Sequence, residues 1–213
     1  MFTGLIEEVG KVAAVSESNG TLRIAITSKQ LVRELKQGDS IAVSGVCLTA
    51  VQIGAQSFSA DLAAETVART SLSRLRANAL VNLELPMKSG QRMGGHIVQG
   101  HVDGVGTLTS LAQIPHGEDY LLRVSLPPEL ARYVVFKGSI AIEGISLTIA
   151  KAERNEIEVA IIPHTFSATN LHSLRAGDPL NIEVDVLAKY AERLLQQKPA
   201  GTITVQRLRE EGF

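Results

Sequence analysis

Cys47 and Ser146 occupy equivalent places in a sequence that occurs twice in this chain, and both side chains could act as nucleophiles. A cysteine thiolate is a strong nucleophile when its surroundings lower the thiol pKa, and a serine hydroxyl could polarise a bound group. His101 carries an imidazole whose ordinary pKa of about 6.5 suits a general base near neutral pH. These residue types predict nucleophilic or proton-transfer chemistry in a duplicated site.

Six pairs of equivalent positions differ between the two copies in ways that bear on chemistry. Sites with the same shape and different side chains suit two similar ligands that play different roles. The pairs are Cys47 and Ser146, Leu5 and His101, Glu65 and His164, Asp61 and Ala160, Gln37 and Lys137, and Pro86 and Asp185.

Each candidate also has a purely structural interpretation. Free cysteine is among the most buried residue types, so Cys47 alone could be a core residue. An isolated His101 could be a hydrogen-bonded side chain, and Thr49 and Thr148 could be ordinary strand residues. His96 and His101 are not expected to bind a metal, because residues five apart in a strand point to opposite faces.

The repeat covers residues 38–84 and 138–183, at an offset that stays at 99 after one deletion. The N-terminal residues 4–10 also align with residues 100–106, at an offset of 96. This period is too long for a solenoid, whose units run roughly 20–50 residues. The repeating unit is therefore a whole domain.

Within each copy the apolar residues favour short strands, which glycines and polar turns separate every eight to twelve residues. This spacing is typical of a small closed barrel or sandwich, so each copy is predicted to be an antiparallel β-barrel. Strands are predicted at 22–26, 40–43, 79–85, 120–126 and 157–162, and short helical segments at 30–35, 65–72, 128–134 and 165–171.

An amphipathic helix is predicted over residues 186–195, because apolar residues recur there on one face. Subunit association is favoured as the role of this face, since the barrels can close their own cores. Residues 198–201 are predicted to end the helix, and residues 202–213 form a tail. The apolar face consists of Leu187, Tyr190, Ala191, Leu194 and Leu195.

The composition of the 213 residues is that of a globular protein, with 45% hydrophobic residues, 20% charged residues and a net charge of -1. This charge gives no electrostatic reason to expect nucleic-acid binding. A cytoplasmic protein without a membrane segment is expected, because the start carries two acids without a basic region and no 18 apolar residues run together. With Cys47 as the single cysteine, an internal disulfide and a cysteine-based zinc site are excluded.

Four short motifs occur in order along the two copies. They are Met1-Phe-Thr-Gly, Ser44-Gly-Val-Cys-Leu-Thr49, Gly94-Gly-His-Ile-Val-Gln-Gly-His-Val-Asp103 and Lys137-Gly-Ser-Ile-Ala-Ile-Glu-Gly-Ile-Ser-Leu-Thr148. Together they resemble the signatures of the riboflavin synthase alpha-chain family, from Met1 to about residue 195.

The resemblance implies an all-β homotrimer, with tandem six-stranded Greek-key barrels over residues 1–96 and 97–186 and a C-terminal helix and tail over residues 187–213. Two molecules of 6,7-dimethyl-8-ribityllumazine would exchange a four-carbon unit, giving riboflavin and 5-amino-6-ribitylaminouracil. Each active site would lie between two subunits, without a cofactor or metal, and association with lumazine synthase is also implied. The alternative is a lumazine-type protein that binds a lumazine or flavin as a chromophore without catalysis.

By the same resemblance, His101 would be the base, and Cys47 or Ser146 would be the nucleophile or polarising group. A water molecule or a ribityl hydroxyl could be the nucleophile instead. Lys137 would reach across the subunit boundary, and Asp185 would lie near the second pocket.

The resemblance also implies two substrate pockets, in which threonine hydroxyls and Asp61 would bind the ribityl hydroxyls. His164 stands where the family usually has a glutamate. The first pocket would be lined by Gly4, Leu5, Ile6, Cys47, Leu48, Thr49, Asp61, Leu62, Ala63, Ala64, Glu65 and Thr66. The second would be lined by Gly100, His101, Val102, Ser146, Leu147, Thr148, Ile161, Ile162, Pro163, His164 and Thr165.

Overall fold

Each half of the chain forms a closed antiparallel barrel of six strands in this computed structural model, which describes residues 1–18, 20–196, 209 and 212. The first barrel has the order β1-β2-β5-β4-β3-β6. Its strands are β1 (Glu8–Ser18), β2 (Thr21–Thr27), β3 (Ser40–Val43), β4 (Val46–Ile53), β5 (Ser57–Leu62) and β6 (Leu80–Glu84).

The second barrel repeats this topology, with the closed order β10-β11-β8-β7-β12-β9. In both barrels three consecutive strands are joined by hairpins, and the next strand returns by a long connection to pair with the first of them, as β6 does with β3 and β12 with β9, which is a Greek key. The prediction of two tandem six-stranded barrels is confirmed. The strands are β7 (Gly104–Gln113), β8 (Tyr120–Ser125), β9 (Ser139–Ile142), β10 (Ile145–Glu153), β11 (Glu156–Ile161) and β12 (Pro179–Val184).

Short helices close the barrel ends near the four predicted positions. In each copy an α-helix and a 3-10 helix follow the fifth strand, where a threonine hydroxyl caps the 3-10 helix. The α-helices are α1 (Ala64–Arg69), α2 (Pro128–Ala131) and α3 (Pro163–Ala168), and the 3-10 helices are Leu31–Arg33, Ser71–Arg74 and Asn170–Ser173.

The C-terminal helix α4 (Val186–Gln196) leaves its apolar face uncovered by the described residues. Its polar side contacts the second barrel, where Lys189 Nζ lies 2.6 Å from Asp103 and Tyr133 donates to Glu192 at 2.6 Å. The predicted helix end and most of the tail lie outside the described residues. The exposed fractions on the apolar face are 61% for Leu187, 63% for Tyr190, 67% for Leu194 and 86% for Leu195.

The two barrels meet along a pseudo-two-fold axis that passes between Gly45 and Gly144. A Cβ atom on either glycine would lie 2.7 Å from the backbone nitrogen of the other, so only glycine allows this approach. On the same interface the Asn82 amide donates to the Glu143 carbonyl and the Asn181 amide donates to the Ser44 carbonyl, both at 2.9 Å. The axis relates the two copies that the sequence repeat defines.

Candidate active site

Cys47 and Ser146 face the outside of their barrels, because side chains alternate along a strand. In β10 the neighbours Ile145 and Leu147 belong to the core, whereas Ser146 is half-buried and Thr148 is exposed. The same alternation in β4 turns Cys47 and Thr49 outward. Any pocket that uses these groups therefore lies on the outer wall of a barrel, not in its interior.

The segment that precedes each barrel crosses to the other barrel. Ser146 donates its backbone N–H to the Gly4 carbonyl at 2.8 Å, and Cys47 donates to the Gly100 carbonyl at 2.9 Å. A two-way hydrogen-bonded bridge between Phe2 and Val98 holds the two crossing segments side by side.

This crossing corrects the predicted grouping of the pocket residues. Gly4, Leu5 and Ile6 lie against the second barrel, and Gly100, His101 and Val102 lie against the first. Ile6 packs on the core of the second barrel and Val102 on the core of the first. The internal alignment matches equivalent residues, but it does not say which barrel a leading segment contacts.

Glycine is required where each segment passes over its strand. Gly4 and Gly100 have φ angles of +76° and +80°, in the left-handed region. A Cβ atom on Gly4 would lie 2.6 Å from Ser146 Cβ, and one on Gly100 would lie 2.6 Å from Cys47 Cβ. Glycine thus lets the backbone at residues 4 and 100 lie directly against Ser146 and Cys47, where any side chain would clash.

A buried glutamate on the last strand of each barrel holds the segment that leads into that same barrel. Glu84 accepts hydrogen bonds from the Thr3 and Gly4 backbone, and Glu183 accepts from the backbone of residues 99–101. Burial raises the pKa of both carboxyl groups above the ordinary value, and these hydrogen bonds oppose that shift.

A cavity of about 300 Å³ lies over Ser146, between the N-terminal segment and α3. It brings together six of the predicted substrate-binding residues, although from both predicted groups. The cavity opens at the surface of the protein. Its lining is Gly4, Leu5, Ile6, Ile145, Ser146, His164, Thr165, Ala168 and Thr169.

Four predicted substrate-binding residues place their side chains inside the barrels. Because the cavity lies outside the barrel wall, these residues could offer only their backbone amide and carbonyl groups to a ligand there. They are Leu48, Leu62, Leu147 and Ile161, with exposed fractions of 4%, 2%, 8% and 1%.

Around the equivalent place in the first barrel, Asp61 is engaged by Arg23. The guanidinium bonds both carboxylate oxygens, with Arg23 Nη2 donating at 2.8 Å, and this pair lowers the pKa of Asp61. Glu65 lies in α1 and pairs with Arg69 at 2.8 Å. Of the remaining predicted residues, Ala63, Ala64 and Thr66 lie at the start of α1, and Ile162 and Pro163 at the start of α3.

Lys137 and Asp185 have other structural partners. Lys137 is exposed, with its ammonium 5.2 Å from the centroid of the Phe136 ring, and it does not line the Ser146 cavity. Asp185 caps α4, because its carboxylate accepts from the Leu187 backbone at 2.9 Å. His101 is exposed at the turn over Cys47.

His96 is the residue that sequence reasoning missed. Its Nδ1 lies 2.7 Å from Ser146 Oγ, while its Nε2 is buried and has no hydrogen-bond partner among the described residues. Burial lowers the pKa of this imidazole, and the charge of Asp185 partly opposes the shift. The signal was weak because residue 96 has no counterpart in the first copy.

The fold and the two outer-wall sites define a class of protein. A family model described as lumazine binding domain matches residues 3–86 and again residues 99–185, once for each barrel. The fold is also similar to that of LumP in crystal structures with riboflavin and with 6,7-dimethyl-8-(1'-D-ribityl) lumazine, at TM-scores of 0.81 and 0.78. Both structures are 24% identical in sequence and cover 86% of this chain and 99% of their own.

Curated relatives narrow this class. A riboflavin synthase from Actinobacillus pleuropneumoniae is 41% identical over 217 residues, covering 100% of both chains, and one from Bacillus subtilis is 37% identical with the same coverage. One from Mycobacterium bovis is 44% identical over 92% of this chain and 98% of its own. The chain belongs to the riboflavin synthase family, enzymes of riboflavin biosynthesis.

Proposed function

We propose that the chain is a riboflavin synthase, a transferase that moves a four-carbon unit between two molecules of 6,7-dimethyl-8-ribityllumazine. The observation that carries the proposal is the pair of related but unequal strand positions, Cys47 and Ser146, each covered by a crossing segment. One substrate molecule must give the four-carbon unit and the other must accept it. Two equivalent outer-wall positions with different side chains would meet that need.

The reaction needs no oxidant, reductant or cofactor. The atoms of two lumazine molecules equal those of riboflavin and 5-amino-6-ribitylaminouracil, so carbon leaves one ring and enters the other without net redox change. The methyl group on ring position 7 is acidic because its carbanion delocalises into the ring. The protein therefore has to orient two rings and move protons, and orientation alone can supply a large part of the rate.

The residue roles follow the chemistry of each group. His101, next to the glycine that covers Cys47, would take the proton from the ring-7 methyl group of one lumazine. Cys47 and Ser146 would polarise the lumazine ring or attack it at ring position 7. The ribityl hydroxyls would be bound by Asp61 and by Thr49, Thr66, Thr148 and Thr165. Lys137 would act across a subunit boundary, and Asp185, whose charge reaches His96, would act near the second pocket.

A homotrimer would supply the missing wall of each pocket. The surface cavity over Ser146 and the uncovered apolar face of α4 both support association through a further subunit. Contact with lumazine synthase and a cytoplasmic location stay predictions from the sequence. Within the described residues no helix is long and apolar enough to span a membrane, and no cluster of three or more His, Cys, Asp or Glu side chains could hold a metal ion.

The test is to incubate the purified protein with 6,7-dimethyl-8-ribityllumazine and follow loss of lumazine absorbance and formation of riboflavin. Riboflavin at half the lumazine consumed, with much slower turnover by His101→Ala, is the expected result. Tight lumazine binding without any riboflavin would reject the enzyme in favour of a carrier protein.

A further inference from the structure

Glu183 collects three consecutive backbone donors at the turn that leads into the second barrel. Its carboxylate accepts from Gln99 at 2.7 Å, from Gly100 at 2.9 Å and from His101 at 3.1 Å. The side chain is 3% exposed. Hydrogen bonds to an ionised acceptor are roughly twice as strong as neutral ones, so this one residue fixes the turn.

The turn that Glu183 fixes belongs to a site on the other barrel. Gly100 accepts from the Cys47 backbone at 2.9 Å and covers Cys47 Cβ, and Val102 packs on the first barrel's core. His101 lies between these two anchors. A carboxylate on β12 of the second barrel therefore fixes the backbone that carries His101, next to the glycine that covers Cys47 of the first.

Glu84 has the matching role, at the position that the pseudo-two-fold axis relates to Glu183. It accepts from the Thr3 backbone at 2.6 Å, the Thr3 hydroxyl at 2.7 Å and the Gly4 backbone at 3.0 Å. Gly4 in turn accepts from the Ser146 backbone at 2.8 Å. The residue presented here is Leu5, at the position equivalent to His101.

We propose that Glu183 and Glu84 are positioning residues that act across the two barrels, each fixing the pocket of the barrel to which it does not belong. Glu183 sets His101 over Cys47, and Glu84 sets Leu5 over Ser146. The role given to His101 rests on the proposed function. The cross-barrel coupling itself rests only on the hydrogen bonds.

Cys47 is the single cysteine, so its alkylation by iodoacetamide reports directly on the turn that covers it. In Glu183→Gln the turn loses its charged acceptor and opens more often, so alkylation should become roughly tenfold faster. Glu84→Gln is the matched control, since the same change on the first barrel's own strand should leave the rate within about twofold. Equal rates in wild type and Glu183→Gln, or equal acceleration in both variants, would overturn the proposal.

Activity gives a second readout that a purely structural role would not reproduce. If Glu183 acts through His101, Glu183→Gln should lower kcat more than it changes KM, and it should have little further effect in His101→Ala. Glu84→Gln should instead multiply with His101→Ala, because the two act at different pockets. Full multiplication of Glu183→Gln with His101→Ala contradicts the positioning role.

Glu183→Asp covers the case in which Glu183→Gln does not fold, because it keeps the charge and shortens the reach. Alkylation of its Cys47 should be faster than in wild type, at a melting temperature that shows a folded protein. A protein that makes no riboflavin but shows the alkylation pattern would retain the cross-barrel coupling and lose only the proposed function.

Discussion

The two pockets have the same backbone and opposite side-chain chemistry. Over the first barrel, Gly100 covers the Cys47 thiol and is followed by an exposed His101, and over the second, Leu5 and Ser146 line one cavity. The second pocket also has an imidazole next to its serine, because His96 Nδ1 lies 2.7 Å from Ser146 Oγ. The same connecting segment thus carries both histidines, an exposed His101 after the glycine that covers Cys47 and a half-buried His96 bonded to Ser146.

The two pockets differ in their side chains because the barrel is duplicated and because the segment that leads into each barrel crosses to the other one. If each leading segment covered its own barrel, the linker between the barrels could serve only the second. Because the segments cross, residues 94–103 reach both pockets, and a single linker can supply different groups to each. The partly buried residues at the edge of the two cores also differ, since Tyr120 stacks on Phe166 at 3.9 Å in the second barrel whereas the equivalent Leu22 and Val67 pack on the core of the first.

Making the two crossing segments alike should have the largest effect. His101→Leu gives the first pocket the residue that Leu5 gives the second, and kcat should fall by about 100-fold or more because the placed base is lost. Leu5→His should change kcat by no more than about threefold, since the second pocket keeps His96. Steady-state riboflavin formation measures both.

Equal losses in the two variants would mean that the pockets are not chemically distinct in the way these residues suggest. Thermal unfolding of each variant is the control, because both positions lie on the surface and neither change should alter the fold.

Glu143 breaks the symmetry of the interface, where the first barrel has Ser44. Burial raises the pKa of Glu143 above its ordinary value of 4.5, against hydrogen bonds from Asn181 and other groups. As the pH rises, the unfolded chain ionises first, so the stabilising contribution of Glu143 is complete below that value and declines through the native-state pKa. Glu143→Gln should therefore cost about 1–3 kcal/mol at low pH and less at neutral pH.

Urea unfolding of wild type and Glu143→Gln across this pH range measures the difference. Thr169→Val is the control, because the Thr169 hydroxyl bonds only the backbone of Thr165 and Leu171, no titratable group, so its cost should stay constant with pH. A Glu143→Gln cost that grows with pH would show that the native state favours the carboxylate.

The sequence predicts the barrels, because they follow from the repeat and from the short, turn-separated strands, but it left open whether Cys47 is a core residue or a site residue. It does not predict the crossing, since pairing by the internal alignment carries no information about which barrel Gly4 or Gly100 contacts. His96 was missed for a related reason, because a comparison between copies can only find residues that have counterparts. The side chains of Leu48 and Leu147 point into the cores, because side chains alternate along a strand and those of their neighbours point outward.

His96 should have a smaller effect than His101, because it acts on Ser146 from behind the cavity wall. His96→Phe removes the bond to Ser146 Oγ and should lower kcat by roughly tenfold. His96→Asn keeps a polar group near the Nδ1 position and should recover most of that loss. Neither variant should change the alkylation rate of Cys47, which lies in the other pocket.

Kinetics of both His96 variants, with Cys47 alkylation alongside, separate this role from general packing. If His96→Asn is as slow as His96→Phe, the hydrogen bond to Ser146 contributes nothing and the ring itself is needed for packing.

Converting the first barrel's ion pair into the second barrel's apolar pair should have the smallest effect. Arg23 and Asp61 correspond in strand register to Leu121 and Ala160. Since both partners are partly exposed, the double variant Arg23→Leu/Asp61→Ala should lower Tm by only about 2 °C. Arg23 lowers the pKa of Asp61, so the stabilisation is present above the ordinary value of 3.8 and is lost as the pH falls through the native-state pKa. Calorimetry at neutral and acidic pH checks this, and a difference that persists in acid would show that packing, not charge, separates the two barrels here.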